Sequence, residues 1–316
     1  MILFATYFDS AFSSRGIAML KSITCKQPYK ILVLALDEET ENFVASQKIP
    51  NVIIIPLKSV RNLDTGAGGN DDKDFFFKLT AEFCYFCKIA YPSFTELLYI
   101  DADIYFYQPV DIILDEVKDA SVAFTRHRHP SYLASRYKKY GLFNVGINYF
   151  KNDDQGNKAI ELWRHRCEQQ IDGATDRQLS FFSDQVLVDD FDSIFSGFKT
   201  VDHIGINVAP WNAANYCFSK NSQGDYLVDN ELLVCYHYSN LVFDDARRWD
   251  CSFTGTPFFL KSDLREMYVK YISKIHSAKI ADFPVKHKAV KGIVLVIIKK
   301  ICGLYITEKE LSHEIR

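Results

Sequence analysis

The sequence predicts an α/β fold, a mostly parallel mixed sheet flanked by helices. Strand-like apolar runs recur at residues 2–7, 31–36, 52–56, 97–100, 121–124, 146–150 and 232–238, and helical stretches at 16–24, 38–47, 76–90, 159–170 and 183–189 lie between several of them. Strand and helix alternating at this spacing is how a parallel sheet covered on both faces is wound. The second observation is bulk. A chain of 316 residues that is 48% hydrophobic and 15% aromatic has ample core for one large α/β domain or two small ones.

Residues 1–7 are apolar, lack a basic flank and run into Asp9, so they read as a first strand and not as a signal peptide. The alternation stays regular to about residue 115. From 116 to 280 short strands mix with aromatic loops, which suits a substrate-binding half of the same domain. Cys84 and Cys87 have C-x-x-C spacing, but no second pair or nearby histidine follows at zinc-site distance. In a helical stretch they read as core thiols of a cytoplasmic protein. The net charge of −3 gives no reason to expect nucleic acid as a partner.

Residues 281–316 form a tail of different character. Six lysines (279, 286, 288, 291, 299, 300) and one acid, Asp282, fall between Lys279 and Gly303. On a helical wheel Val290, Ile293, Val294, Ile297, Ile298, Ile301 and Leu304 share one face, with Lys288, Lys291 and Lys299 opposite. Two readings stand: a basic amphipathic helix lying on a membrane surface, or a helix packed on the domain with its lysines in solvent. The apolar stretch 293–298 is too short to span a bilayer.

Asp-x-Asp occurs three times, at Asp72/Asp74, Asp101/Asp103 and Asp190/Asp192. Only the middle copy closes an apolar strand (Leu97-Leu-Tyr-Ile100) and is followed by another apolar stretch. Side chains two apart on a strand share a face, with Cα atoms about 6–7 Å apart, so both carboxylates reach one divalent cation. The C-terminal edge of a parallel strand is also where open α/β sheets bind ligands. Phosphatase and nucleotidyltransferase readings fall behind. The first wants its aspartates on strand one, and the second a Gly-rich basic loop after it, where Phe8-Asp-Ser-Ala-Phe-Ser-Ser14 stands.

With Thr6-Tyr-Phe-Asp9, Arg15-Gly-Ile-Ala-Met-Leu-Lys-Ser22, Tyr99-Ile-Asp-Ala-Asp103, Phe143-Asn-Val-Gly-Ile-Asn148, Phe182-Ser-Asp-Gln185, Asn207-Val-Ala-Pro-Trp-Asn212 and Tyr236-His237 in that order, residues 1–250 resemble GT-A-fold nucleotide-sugar glycosyltransferases. The match is nearest to glycosyltransferase family 8 and related sugar transferases of bacterial surface polysaccharides. The resemblance implies a nucleotide-binding half to about 115 and an acceptor-binding half to 280. It implies Mn²⁺ (or Mg²⁺) on Asp101, Asp103 and His237, a UDP-sugar donor, a glycan or lipid-linked glycan acceptor, and retention of anomeric configuration. Imidazole among carboxylates leans toward Mn²⁺. For the donor it implies contacts from Thr6, Tyr7, Asp9, Arg15, Lys78, Asp101, Ala102, Asn144, Gly146, Asn148 and Arg247. Asp184 and Gln185 would stand beside the anomeric carbon as the catalytic pair.

Plainer readings accompany several of these residues: a core histidine for His237, a turn or helix cap for Asp9 and Asp184, and a turn former for Asn144. The family usually places Gly and Lys-Pro-Trp after the histidine. Here Tyr238-Ser-Asn-Leu241 follows, with Arg247 and Arg248 as candidate phosphate ligands. The tail suits an acceptor on the inner face of the cytoplasmic membrane. A catalytically degenerate domain that binds nucleotide sugar or glycan as a scaffold is the alternative.

Overall fold

The computed structural model describes residues 1–60, 73–171, 184–244, 247–251, 258–260, 262–278 and 293–311. Asp72, Phe182, Ser183, Lys279, Asp282, Lys286, Lys288, Val290 and Lys291 lie outside them. The chain opens as β1 (Ile2–Phe8), α1 (Ser13–Ser22), β2 (Tyr29–Ala35), α2 (Glu38–Ser46) and β3 (Val52–Pro56). After α3 (Lys73–Ala90) come β4 (Glu96–Ile100), β5 (Ile104–Phe106) and α4 (Asp111–Val117). Then follow β6 (Val122–Arg126), α5 (Tyr137–Tyr140), β7 (Phe143–Lys151), α6 (Asp154–Ile171), α7 (Phe191–Ile194) and β8 (Phe198–Val201). Short strands β9 (Phe218–Lys220), β10 (Tyr226–Val228), β11 (Glu231–Leu232), β12 (Cys235–His237), β13 (Val242–Phe243) and β14 (Arg248–Asp250) precede α8 (Ser262–Ser277), α9 (Ile293–Ile301), β15 (Tyr305–Thr307) and α10 (Glu308–Leu311).

The main sheet has seven strands in the order β3-β2-β1-β4-β7-β6-β8. β7 runs antiparallel to β4 and β6, and the other pairs are parallel. The strands are apolar on both faces because both faces are covered. Leu3, Ala5, Leu97 and Tyr99 pack with Leu79 and Phe83 of α3 and Trp163 of α6. Ile2, Phe4, Leu98 and Ile100 pack on the other side with Ile17 and Met19 of α1 and Ile113 of α4. A third core, rich in tyrosine, lies under α8 and joins Tyr236, Tyr238, Trp249, Tyr268 and Tyr271. Each of the four β4 side chains from Leu97 to Ile100 is at most 1% exposed. A one-residue slip would turn each to the opposite core, so the register that aims Asp101 and Asp103 is fixed by packing.

Residues 184–188 form a single 3₁₀ turn where a helix was expected. Side chains of α6 hold its carbonyls: Trp163 Nε1 donates to Asp184 O at 3.1 Å and Arg166 to Leu187 O at 2.6 Å. Cys84 and Cys87 are buried thiols inside α3.

The described part of the tail docks with the opposite face inward from the solvated-lysine expectation. Lys299 is buried and pairs with Asp250 at 2.7 Å, while Ile297, Ile298 and Ile301 are 50%, 43% and 66% exposed. Of the wheel's three lysines only Lys299 is described, and it lies apart from the exposed isoleucines. The acceptor on β14 decides which face turns inward, because a buried ammonium is tolerated only against a partner. Leu304, grouped with the isoleucines on the wheel, lies past the end of α9 and is buried.

Candidate active site

β4 ends at Ile100, and the next residues turn before β5 begins at Ile104, so both aspartates sit in that turn. β5 pairs antiparallel with β12, which sets His237 opposite Ile104 and beside Asp103. His237 Nε2 lies 2.9 Å from Asp103 Oδ1 and 3.7 Å from Asp101 Oδ2. Tyr99 OH donates to Asp101 Oδ1 at 2.9 Å, leaving the other oxygen turned to the histidine. Ligand atoms of Asp101, Asp103 and His237 all fall within 4.8 Å of one another. Two carboxylates and an imidazole suit a divalent ion such as Mn²⁺.

Electrostatics reinforce the cluster. Burial raises the Asp101 carboxyl to about 6, with Asp103 adding to the rise against the pull of His237. Burial also opposes ionisation of Asp103, but His237 and Arg15 overcome it and hold that carboxyl below its usual value. His237 is raised despite its burial because Asp103 and Asp101 favour the imidazolium. Asp184 is pushed up to about 7, by burial first and by Asp101 second. A divalent cation would relieve this clustering of carboxylates.

Across the sheet from Asp101 lies Gly146, whose carbonyl accepts from Asp101 N at 2.8 Å. A Cβ there would stand 2.8 Å from His237 Cε1 and 2.9 Å from both Asn144 Oδ1 and Asp101 Oδ2. Two of these three neighbours, His237 and Asp101, are candidate ligands. Gly146→Ala is expected to lower metal affinity at least ~10-fold, the scale of losing a group that orients a ligand. Mn²⁺ titration would check this, and unchanged affinity would show the cradle is slack.

A cavity of about 470 Å³ opens over the cluster. Of the residues singled out in the sequence, Tyr7, Asp9, Asp101, Ala102, Asp103, Asn144, Gln185 and His237 line it. Asp9 also accepts from Phe12 N at 3.0 Å, so it caps the turn as well. Buried amides hold the far wall. Asn207 Nδ2 donates to Asn144 Oδ1 at 2.8 Å, Gly146 N donates to the same oxygen at 3.1 Å, and Asn144 Nδ2 faces Gln185 Oε1 at 3.5 Å. A backbone N–H only donates, so the Asn144 amide can sit only this way round.

Other residues fall elsewhere. Arg15 lines an adjoining cavity of about 290 Å³ and donates to Leu241 O at 2.8 Å. Thr6 is buried in the sheet, and Asn148, fully buried, donates to Val145 O at 2.6 Å. Lys78 is not among the residues lining the cavity. Arg247 pairs with Glu308 at 2.9 Å, and Arg248 pairs with Asp244 and stacks on Tyr305 at 3.8 Å. Arg247 turns to Glu308 of α10, and Arg248 to the nearby Asp244 and to Tyr305 of β15; neither is among the residues lining the cavity.

The sequence reading missed His127 and His129 and gave Trp211, quoted within Asn207–Asn212, no role; all three line the cavity. The two imidazoles stack at 5.0 Å and 11°. Both lie beyond the end of β6, with Arg128 between them at φ 53°, so no strand alternation in the sequence marked them. Burial lowers His127 to about 3, assisted by His129, and burial and then Arg136 lower His129 to about 4. An unfolded histidine takes its proton near 6.5, so the unfolded chain binds protons first. This contribution to stability is whole above that pH and shrinks as pH falls toward 4. Between pH 7.5 and 5 His127 alone is expected to cost about 2 kcal/mol, read as a falling urea midpoint that His127→Gln flattens.

The seven-stranded, mostly parallel sheet covered by helices is a GT-A fold, shared with solved glycosyltransferase structures to which the chain is similar. The galactosyltransferase LgtC, in complex with donor and acceptor sugar analogues, superposes with a TM-score of 0.52 at 13% identity, over 89% of this chain and 97% of LgtC. The bifunctional glycosyltransferase WbbM does so at 0.50 and 12%, over 89% of this chain and 52% of WbbM. In sequence the chain is similar to two proteins of Bacillus subtilis (strain 168) described as uncharacterized. YfnF is 25% identical over 234 residues (71% of this chain, 77% of YfnF), and YfnD 24% over 216 residues (68% and 69%). No family model matches.

Proposed function

We propose that the chain is a metal-dependent glycosyltransferase that moves a hexose from a UDP-sugar to a hydroxyl of a glycan of lipopolysaccharide or capsule type, with retention of configuration. The observation that carries this reading is the meeting of Asp101, Asp103 and His237 with Asn144 and Gln185 in one cavity on a GT-A sheet. Tyr7, Phe12 and Asp9 would receive the base, the aromatic rings by stacking and the carboxylate by accepting from the imide. Asp101, Asp103 and His237 would hold the cation, which screens the diphosphate and stabilises the departing UDP. Asn144 and Gln185 would orient the hexose, and Asp184, next to Gln185 though not among the lining residues, would bind its hydroxyls. In the reaction the bond from the anomeric carbon to the diphosphate oxygen breaks and one to the acceptor oxygen forms. The hydroxyl proton leaves with the phosphate.

The exposed isoleucines of α9, with exposed Lys300 beside them, support attachment to the inner face of the cytoplasmic membrane. No described helix is long and apolar enough to cross a membrane. Thermal shift across a UDP-sugar panel, with and without Mn²⁺, tests the donor. A metal-dependent shift for one sugar supports the transferase. A shift without turnover on any glycan supports the degenerate domain, and no shift for any nucleotide sugar overturns the transferase in favour of a glycan-binding scaffold.

A further inference from the structure

Residues 126–140 read Arg-His-Arg-His-Pro-Ser-Tyr-Leu-Ala-Ser-Arg-Tyr-Lys-Lys-Tyr, five Arg or Lys and no acid, in a chain whose net charge is −3. The segment leaves the end of β6, passes through a 3₁₀ stretch (Ser131–Arg136) and α5, and returns at Gly141 against the carbonyl of Gln185. It therefore rims the cavity at the end where Asn144 and Gln185 stand. His127, His129 and Tyr140 face into the cavity from it. Arg126, Lys138 and Lys139 are exposed, and Tyr132 is 62% exposed. Arg128 donates internally to the carbonyls of Ile204 and Asn207 at 3.0 and 3.2 Å, while Arg126 and Lys139 lie over the rings of Phe143 and Tyr140 at 5.7 and 4.9 Å.

A second observation points inward. His129 is 8% exposed, yet neither of its ring nitrogens makes a well-formed hydrogen bond, the backbone of Trp211 being the polar group nearest to it. Buried polar atoms are nearly always paired, so an orphaned imidazole in a cavity wall calls for a ligand group. One of its nitrogens donates, and a ligand oxygen would accept from it.

We propose that this rim is the acceptor-recognition surface and that it selects an anionic sugar, bearing a carboxylate or a phosphate, over a neutral one. The proposal rests on the transferase reading and names the substrate class for it. The exposed cations draw the acid in by complementary charge, while His129 at the base meets an oxygen of the same sugar. Tyr132 and Tyr140 offer ring faces against which a pyranose can lie.

Binding of three disaccharides to the full chain tests this: cellobiose, its uronic-acid counterpart and its 6′-phosphate, each with and without UDP and Mn²⁺. At low salt one or both acidic sugars are expected to bind roughly five- to ten-fold tighter than cellobiose, the scale of two exposed charge pairs. Which acid gains identifies the anion. Lys138→Glu with Lys139→Glu should close the gap and leave the UDP–Mn²⁺ shift intact. His129→Phe, which keeps the stacked ring and removes both nitrogens, should weaken the acidic sugar alone. Equal binding of all three sugars, or a preference that survives the lysine changes, overturns the proposal. A UDP–Mn²⁺ shift with no acid preference sinks the rim and leaves the transferase standing. Acid preference without any UDP shift does the reverse.

Discussion

In Asp103→Ala, metal-dependent UDP-sugar binding is expected to fall by more than ~100-fold, above the range for groups that merely orient a ligand. Asp103 contributes an oxygen 2.9 Å from His237 Nε2, so its removal takes away one of the three candidate ligands and the charge beside the histidine. Tyr99→Phe removes only the hydrogen bond that turns Asp101, and is expected to cost about 10- to 100-fold. The control is the third Asp-x-Asp copy. Asp190 pairs with Arg166 at 2.6 Å and Asp192 lies in α7, outside the cavity lining, so Asp192→Ala should leave binding unchanged. Isothermal titration of UDP in Mn²⁺ reads all three. Equal losses in Asp103→Ala and Asp192→Ala would mean that the cation sits elsewhere.

That contrast shows what the sequence could and could not supply. The spacing of Asp101 and Asp103 is local, and the apolar run before it fixes their face, so the pair is legible from a dozen residues. His237 is not local. The run 232–238 that holds it reads as a strand, but its pairing with the three-residue β5 is not local, and only the family order singled it out. Arg247 and Arg248 illustrate the opposite failure. Charge in a sequence says that a cation is needed somewhere, not which way the chain carries it, and Glu308, Asp244 and Tyr305 claim these two from distant or neighbouring elements. The main strands were legible because burial on both faces leaves unbroken apolar runs. β8 and α8 were not picked out: β8 is four residues long, and the seven-strand order depends on pairings that no local window contains.

Asp250→Ala is expected to destabilise the chain by about 3–5 kcal/mol, the cost of leaving a buried charge without its partner. The Asp250 and Lys299 side chains are 5% and 6% exposed, so neither has water to fall back on. The loss should appear as a lower urea midpoint. Asp250→Leu combined with Lys299→Met should recover most of it, because apolar replacement of both members removes the desolvation cost along with the attraction. If the single change costs less than about 1 kcal/mol, the pair is reached by water and behaves as a surface bridge. The pair also has a directional role. α9 turns its isoleucines outward because Lys299 is drawn inward to β14, so Asp250→Ala should loosen α9 and weaken binding to anionic vesicles. The double variant, which keeps an apolar contact at the same point, should retain both the docked helix and the vesicle binding. Vesicle binding that survives with α9 loosened would place the membrane contact outside the helix.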